Sequence, residues 1–91
     1  MDAAEFDKQM ELLQRLKNKE VGAFEELSKE YSEDLLLLAY TILKNPEDSA
    51  KAVECLFTAL WEREQFDDVT PPLHHFLYRE LKKCCRLIAL F

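Results

Sequence analysis

The scarcity of helix-breaking residues constrains this fold more than any other feature of the sequence. The 91 residues include one Gly and three Pro. Tight hairpin turns depend on Gly, and both residue types interrupt helices, so the chain favours long helices over hairpins. Two cores would each be too small to be stable in a chain of this length, which predicts one domain over residues 1–91. We therefore expect an all-α fold, a compact bundle of four to five helices.

Apolar residues recur at helical spacing along most of the chain. The pattern predicts helices at four places: over residues 5–18, from Val21 onward, from Pro46 to about residue 62 or 64, and after Pro72. Ser32-Glu33-Asp34 predicts a break in the second helix, because Ser can cap a helix and acids suit its first turn. The segment 35–43 is nearly all apolar, so we expect it to lie centrally in the bundle.

Two helix starts have recognisable signals. Asn45 is a good capping residue, Pro46 suits the first helical position, and acids follow in the first turn. Thr70-Pro71-Pro72 is expected to open the last helix in the same way. These signals place the third and fourth helices on the sequence.

Several classes of function lack their sequence signatures. No segment approaches the roughly 18–20 consecutive apolar residues of a membrane span. The acidic N-terminus does not resemble a signal peptide, so we expect a cytoplasmic protein with no membrane partner. There is no glycine-rich phosphate loop and no arguable pairing of a nucleophile with a base. We expect no enzyme activity, catalytic residue, cofactor or small-molecule substrate.

The three cysteines suggest a reducing environment. Cys84 and Cys85 are adjacent in a helical pattern, a poor geometry for bridging each other, and Cys55 lies apart. We expect buried, reduced thiols. A metal site with His74 and His75 is the alternative, but the spacing matches no zinc pattern, so no metal is expected.

The net charge of −6 is distributed unevenly. Residues 72–91 carry four bases and one acid. Those bases are Arg79, Lys82, Lys83 and Arg86, which follow the i, i+3, i+4, i+7 spacing of one helix face. Such a stripe fits a solvated surface as well as contacts to phosphates.

The order of several short segments along the chain is more specific than any one of them. They are residues 12–17, 23–27, 38–43, 46–50, 53–62, Phe66, 76–79 and 82–86. In this order they resemble region 2 of bacterial sigma-70 family sigma factors, in the extracytoplasmic-function branch. The resemblance covers about residues 10–88, and it implies a role in transcription initiation.

Docking on core RNA polymerase is the first implication of this resemblance. In the family, the exposed face of the third helix contacts a coiled coil on the largest polymerase subunit. The matching positions here are Asp48, Lys51, Glu54, Cys55 and Thr58. The family commonly has Asp where Lys51 stands and Gln where Glu54 stands, so we expect weaker or retuned docking. Phe57 and Trp61 are interpreted as core residues that hold this helix in place.

Contact with the promoter −10 element is the second implication. The matching positions lie on the last helix and the loop before it: Phe66, His75, Tyr78, Arg79, Lys82, Lys83 and Arg86. Phe66 and Tyr78 would stack on an exposed base. Three departures weaken this expectation, one of which is that His75 replaces a polar or aromatic contact of the family. The family usually has Asn where Lys83 stands, and the loop acids Glu62, Glu64, Asp67 and Asp68 would repel DNA.

The extent of the chain raises a further expectation. Complete members of the branch carry a second helical domain for the −35 element, and the sequence contains no such domain. We expect a piece of a longer protein, with the apolar residues 87–91 packing on the core or binding a partner as alternatives. An anti-sigma protein is the regulator that the family implies. The alternative function is a helical protein-interaction module that keeps the fold and has lost DNA binding, which Lys51 and the acidic loop favour.

Overall fold

The structure is a computed structural model that describes residues 2–90, and within this range every regular element is a helix. The four helices are α1 (Ala3–Lys17), α2 (Val21–Leu43), α3 (Pro46–Glu62) and α4 (Leu73–Ala89). The predicted all-α bundle is confirmed, with four helices. No helix within residues 2–90 combines the length and the apolarity needed to cross a bilayer. Phe91, the last residue of the predicted apolar tail, lies outside the described residues.

Helix α2 is continuous through Ser32-Glu33-Asp34, so the predicted break is wrong. Its buried residues recur every four positions on both sides of these three residues: Ala23, Leu27, Tyr31, Leu35 and Ala39. Glu33 and Asp34 are exposed, where a helix tolerates acids because their carboxylates reach water. Packing of the apolar side therefore outweighs the local capping preference.

The apolar segment 35–43 is less buried than its composition predicts. Leu35 and Ala39 lie in the core, but Leu36, Leu37, Tyr40 and Ile42 are exposed. The expectation of a central position is wrong for most of the segment, because the other helices cover only one side of α2 there. The end of α2 therefore presents an apolar surface to solvent.

The starts of α3 and α4 both lie where the sequence predicts them, but only α3 has the predicted cap. The Oδ1 atom of Asn45 accepts a hydrogen bond from the backbone N–H of Asp48 at 2.9 Å, and Pro46 occupies the first turn. Helix α4 begins at Leu73 after Pro72, which has no side chain that can cap it, and Thr70 does not act as the cap.

A side chain from α1 supplies the missing cap of α4. The backbone N–H of Leu73 donates a hydrogen bond of 2.8 Å to Oε1 of Gln9. Gln9 is only 8% exposed, and its amide Nε2 donates to Oε1 of Glu5 at 3.2 Å. This buried contact joins the first helix to the last.

The core draws on all four helices and on the loop between α3 and α4. Its most completely buried large side chains are Leu13, Leu27, Leu35, Leu56, Leu73, Leu77, Leu81 and Cys85. Phe66 and Val69 extend this core from the loop. Helix α2 contacts each of the other three helices, so it positions the surfaces described below.

Candidate functional site

The predicted docking residues share one side of α3. Lys51, Glu54 and Thr58 are exposed, and Cys55 is half-buried. These four side chains line a shallow surface depression of about 410 Å³. They reach the surface because the opposite side of α3 is buried, through Ser49, Ala52, Val53, Leu56 and Leu60. Asp48 lies half-buried in the first turn of α3 and does not line this depression.

An open apolar groove adjoins this side of α3. We call it the aromatic groove; its floor is Val21, Phe24, Phe57 and Trp61, and it has a volume of about 790 Å³. Trp61 is 45% exposed, so its interpretation as a core residue is wrong, and Phe57 is half-buried. The rings of Phe24 and Trp61 pack edge to face, with centroids 4.9 Å apart.

The aromatic groove and the polar side of α3 form one continuous surface, because Glu54 and Thr58 line both. The sequence pattern did not identify Val21 and Phe24 as surface residues. Both lie on an apolar helical stripe, and such a stripe has the same spacing whether a neighbouring helix covers it or leaves it open.

The side chain of Lys19 binds the C-terminal end of α3 beside Trp61. Its backbone has a φ of 59°, and its Nζ donates hydrogen bonds to the carbonyl oxygens of Trp61 and Arg63. The same Nζ lies 5.9 Å from the centroid of the Trp61 ring. A positive charge at a helix C-terminus interacts favourably with the unpaired carbonyls, so Lys19 stabilises this edge of the groove.

The loop aromatic predicted to stack on DNA lies inside the protein. Phe66 is 3% exposed, and the guanidinium of Arg63 lies 5.6 Å from its ring centroid. Stacking requires an open ring face, so the structure does not support a stacking role for Phe66.

An ion-pair network neutralises part of the acidic loop. Arg63 donates to Asp68 and, at 3.0 Å, to Oε1 of Glu80. Arg79 lies 3.2 Å from the other Asp68 oxygen. The hydrogen bond from Arg63 holds the pKa of the Asp68 carboxyl below its usual range. Because the Arg63 and Arg79 guanidiniums offset its negative charge, Asp68 repels an approaching phosphate less than an unpaired carboxylate would.

The basic stripe on α4 is exposed but partly neutralised. Arg79 pairs with Asp68, and Nζ of Lys83 lies 2.9 Å from Oε2 of Glu80. Lys82 and Arg86 have no ion-pair partner among residues 2–90. The stripe therefore offers less free charge than its sequence suggests.

The remaining predicted DNA-contacting residues lie near the start of α4. Tyr78 is half-buried and His75 is exposed. Both rings pack near His74, with centroid separations of 5.6 Å for Tyr78 and 4.3 Å for His75. They lie on the same helix as the basic stripe, whereas Phe66 is directed into the core.

The cysteines are free thiols. Cys84 and Cys85 are buried as expected, whereas Cys55 is only half-buried. Burial, with a smaller contribution from a hydrogen bond to Cys55, raises the pKa of Cys84 to about 12, so this thiol is protonated at neutral pH. Among the described residues, no group of three or more His, Cys, Asp or Glu side chains is arranged to hold a metal ion.

Comparison of the chain with protein-family models, curated proteins and solved structures gives no match. The continuous surface formed by α3 and the aromatic groove is the strongest candidate for a functional site.

Proposed function

We propose that this chain is a transcription-initiation module resembling sigma-factor region 2, which docks on core RNA polymerase through α3 and the aromatic groove. The observation that carries the proposal is the half-exposed Trp61 ring beside the polar side of α3. This function would place the protein in the cytoplasm, with the coiled coil of the largest polymerase subunit as its partner. By family analogy, an anti-sigma protein would compete for the same surface.

The aromatic groove has the composition of a protein-binding site. Partly exposed Trp side chains are among the residues that contribute most to binding energy at protein interfaces. An apolar groove between two helices also suits the apolar side of a partner helix. Glu54 and Thr58 border the groove and would supply polar contacts around its apolar floor.

The positive charge of Lys51 should weaken this docking. Lys51 is exposed and has no ion-pair partner among residues 2–90. A basic partner surface would be repelled by Lys51 and attracted by Glu54. The natural chain should therefore dock more weakly than a variant with an acid at position 51.

We expect Lys51→Asp to bind core RNA polymerase about fivefold more tightly than the natural chain, because a repulsion becomes an attraction.

Trp61→Ala should weaken binding by about tenfold, because the groove loses its largest apolar contact. Biolayer interferometry with immobilised core polymerase measures both changes. The matched control is Phe6→Ala, since Phe6 and Trp61 are both 45% exposed but Phe6 lies on α1.

The two substitutions separate the possible outcomes. A loss of affinity in Trp61→Ala but not in Phe6→Ala supports docking through the aromatic groove. Binding by Lys51→Asp alone would mean that the natural chain has lost the docking that its fold permits. Failure of both the natural chain and Lys51→Asp to bind would exclude core polymerase as the partner.

The second part of the proposal is contact with promoter DNA through α4. Specific observations also support the alternative function, a protein-interaction module that does not bind DNA. Phe66 is buried, and both Arg79 and Lys83 pair with acids of the same chain. These observations favour a protein-interaction module that has lost DNA binding. Lys82 and Arg86 are the residues that would keep a weak DNA contact.

Salt dependence distinguishes these two functions. If only Lys82 and Arg86 contact phosphates, log K for single-stranded −10 DNA should fall with log salt at a slope of about −1.4, against about −2.8 if all four bases do. Fluorescence anisotropy measures the slope. The double variant Lys82→Gln/Arg86→Gln should abolish binding, whereas Lys8→Gln on α1 should not. Absence of binding at low salt would leave the interaction module as the function.

A further inference from the structure

The exposed end of α2 carries an apolar surface that the proposed docking function does not use. Leu37 is 64% exposed, Tyr40 48% and Leu36 38%. The segment 35–43 contains no charged residue. Contiguous exposed apolar side chains on a small protein often mark a binding surface.

Four residues along this end of α2 form a stripe with an opposite charge at each end. Glu33, Leu37 and Tyr40 follow one another at spacings of four and three residues, so they lie on the same side of the helix. Lys44 is the left-handed cap residue directly after α2, four residues beyond Tyr40, and it places a positive charge at the C-terminal end of this row. We call Glu33, Leu37, Tyr40 and Lys44 the α2 stripe. Neither charged residue of the stripe has an ion-pair partner in the part of the chain that the structure describes.

We propose that the α2 stripe binds the α2 stripe of a second copy of this chain, with the two helices antiparallel about a two-fold axis. A two-fold interface uses the same patch on both subunits, so the patch must be complementary to itself. The stripe meets this condition. When Leu37 faces Tyr40 of the partner subunit, Glu33 comes next to Lys44 of the partner subunit at both ends.

Charge selects a second copy as the occupant. The protein carries a net charge of −6, so two copies repel each other across most of their surfaces and can associate only through a patch whose own charges cancel. The α2 stripe has one acid and one base, and an antiparallel arrangement pairs them twice. The same arrangement covers Leu37 and Tyr40 with apolar partner side chains, which removes their exposed surface from water.

The size of the stripe sets the expected strength of the dimer. From Glu33 to Lys44 a helix rises about 16 Å. A single row of side chains of this length buries less surface than the roughly 800 Å² that each partner buries in a standard stable interface. The dimer is therefore weak, and its population depends on protein concentration.

Sedimentation velocity of the full chain from about 5 to 500 µM tests the proposal, because a weak dimer fills gradually over such a range. The natural chain should shift from monomer to dimer as its concentration rises. Leu37→Glu should raise the dissociation constant about tenfold or more, since an apolar contact is lost in both subunits. Far-ultraviolet circular dichroism should stay unchanged, because Leu37 lies outside the core.

A charge-swap series tests the antiparallel register. Glu33→Lys alone should raise the dissociation constant about fivefold, because it places two bases next to each other at both ends of the interface. The double variant Glu33→Lys/Lys44→Glu should bind itself within about twofold of the natural chain, because the pairs form again with reversed signs.

Three results would overturn the proposal. The first is a monomer at every concentration, and the second is an unchanged dissociation constant in Leu37→Glu. The third is an equal loss in Leu87→Glu, which places the same charge on an exposed leucine of α4 and would indicate association through apolar surface in general. If the double charge swap does not restore the dimer, the antiparallel register is wrong.

Discussion

Replacing Phe66 with Ala should lower the free energy of unfolding by about 3–5 kcal/mol. Phe66 is 3% exposed and borders a void of about 10 Å³, which residues from all four helices line. The core is therefore closely packed around this ring. Removing the ring would leave a cavity that the four helices cannot close without moving together.

Urea denaturation followed by circular dichroism measures this loss. In thermal denaturation of a domain of this size, we expect the melting temperature to fall by about 12 °C or more. Phe66→Leu should lose only about 1 kcal/mol, because it keeps most of the apolar volume. Phe6→Ala, at an exposed position on α1, should change the stability by less than about 0.5 kcal/mol. A stable Phe66→Ala variant with weakened DNA binding would instead favour the base-stacking role.

Replacing Gln9 with Leu should destabilise the protein by about 2 kcal/mol, because the buried N–H of Leu73 loses its acceptor. Gln9 accepts this hydrogen bond at 2.8 Å and lies in a buried position. Pro72 offers no side chain that could replace it. The start of α4 would therefore lose its cap, and the contact between the first and last helices would weaken.

Amide hydrogen exchange at Leu73, together with urea denaturation, measures the effect of Gln9→Leu. The matched control is Gln14→Leu, because Gln14 is an exposed glutamine of the same helix. It should change stability by less than about 0.5 kcal/mol. Gln9→Glu keeps an acceptor oxygen for Leu73 but loses the donor to Glu5 and places two carboxylates side by side, so it should be destabilised as well. If Gln9→Leu is as stable as the natural chain, the cap does not contribute.

The amino-acid sequence by itself determined the helical class and most helix boundaries. The single Gly and the regular apolar spacing predicted an all-α bundle, and Asn45-Pro46 placed the start of α3 correctly. The sequence also placed Lys51, Glu54, Cys55 and Thr58 on one side of α3. These predictions succeed because helix periodicity and capping depend on residues within about one turn of each other.

Only the tertiary structure decided which apolar side chains are covered and which charges are paired. Trp61 was expected in the core but borders an open groove, and Phe66 was expected to be exposed but is buried in the core. Gln9 caps a helix that begins 64 residues later, and Asp68 pairs with Arg79 across the loop. Helical periodicity shows which side of a helix is apolar. Whether that side is buried depends on where distant parts of the chain pack, and no local pattern specifies this.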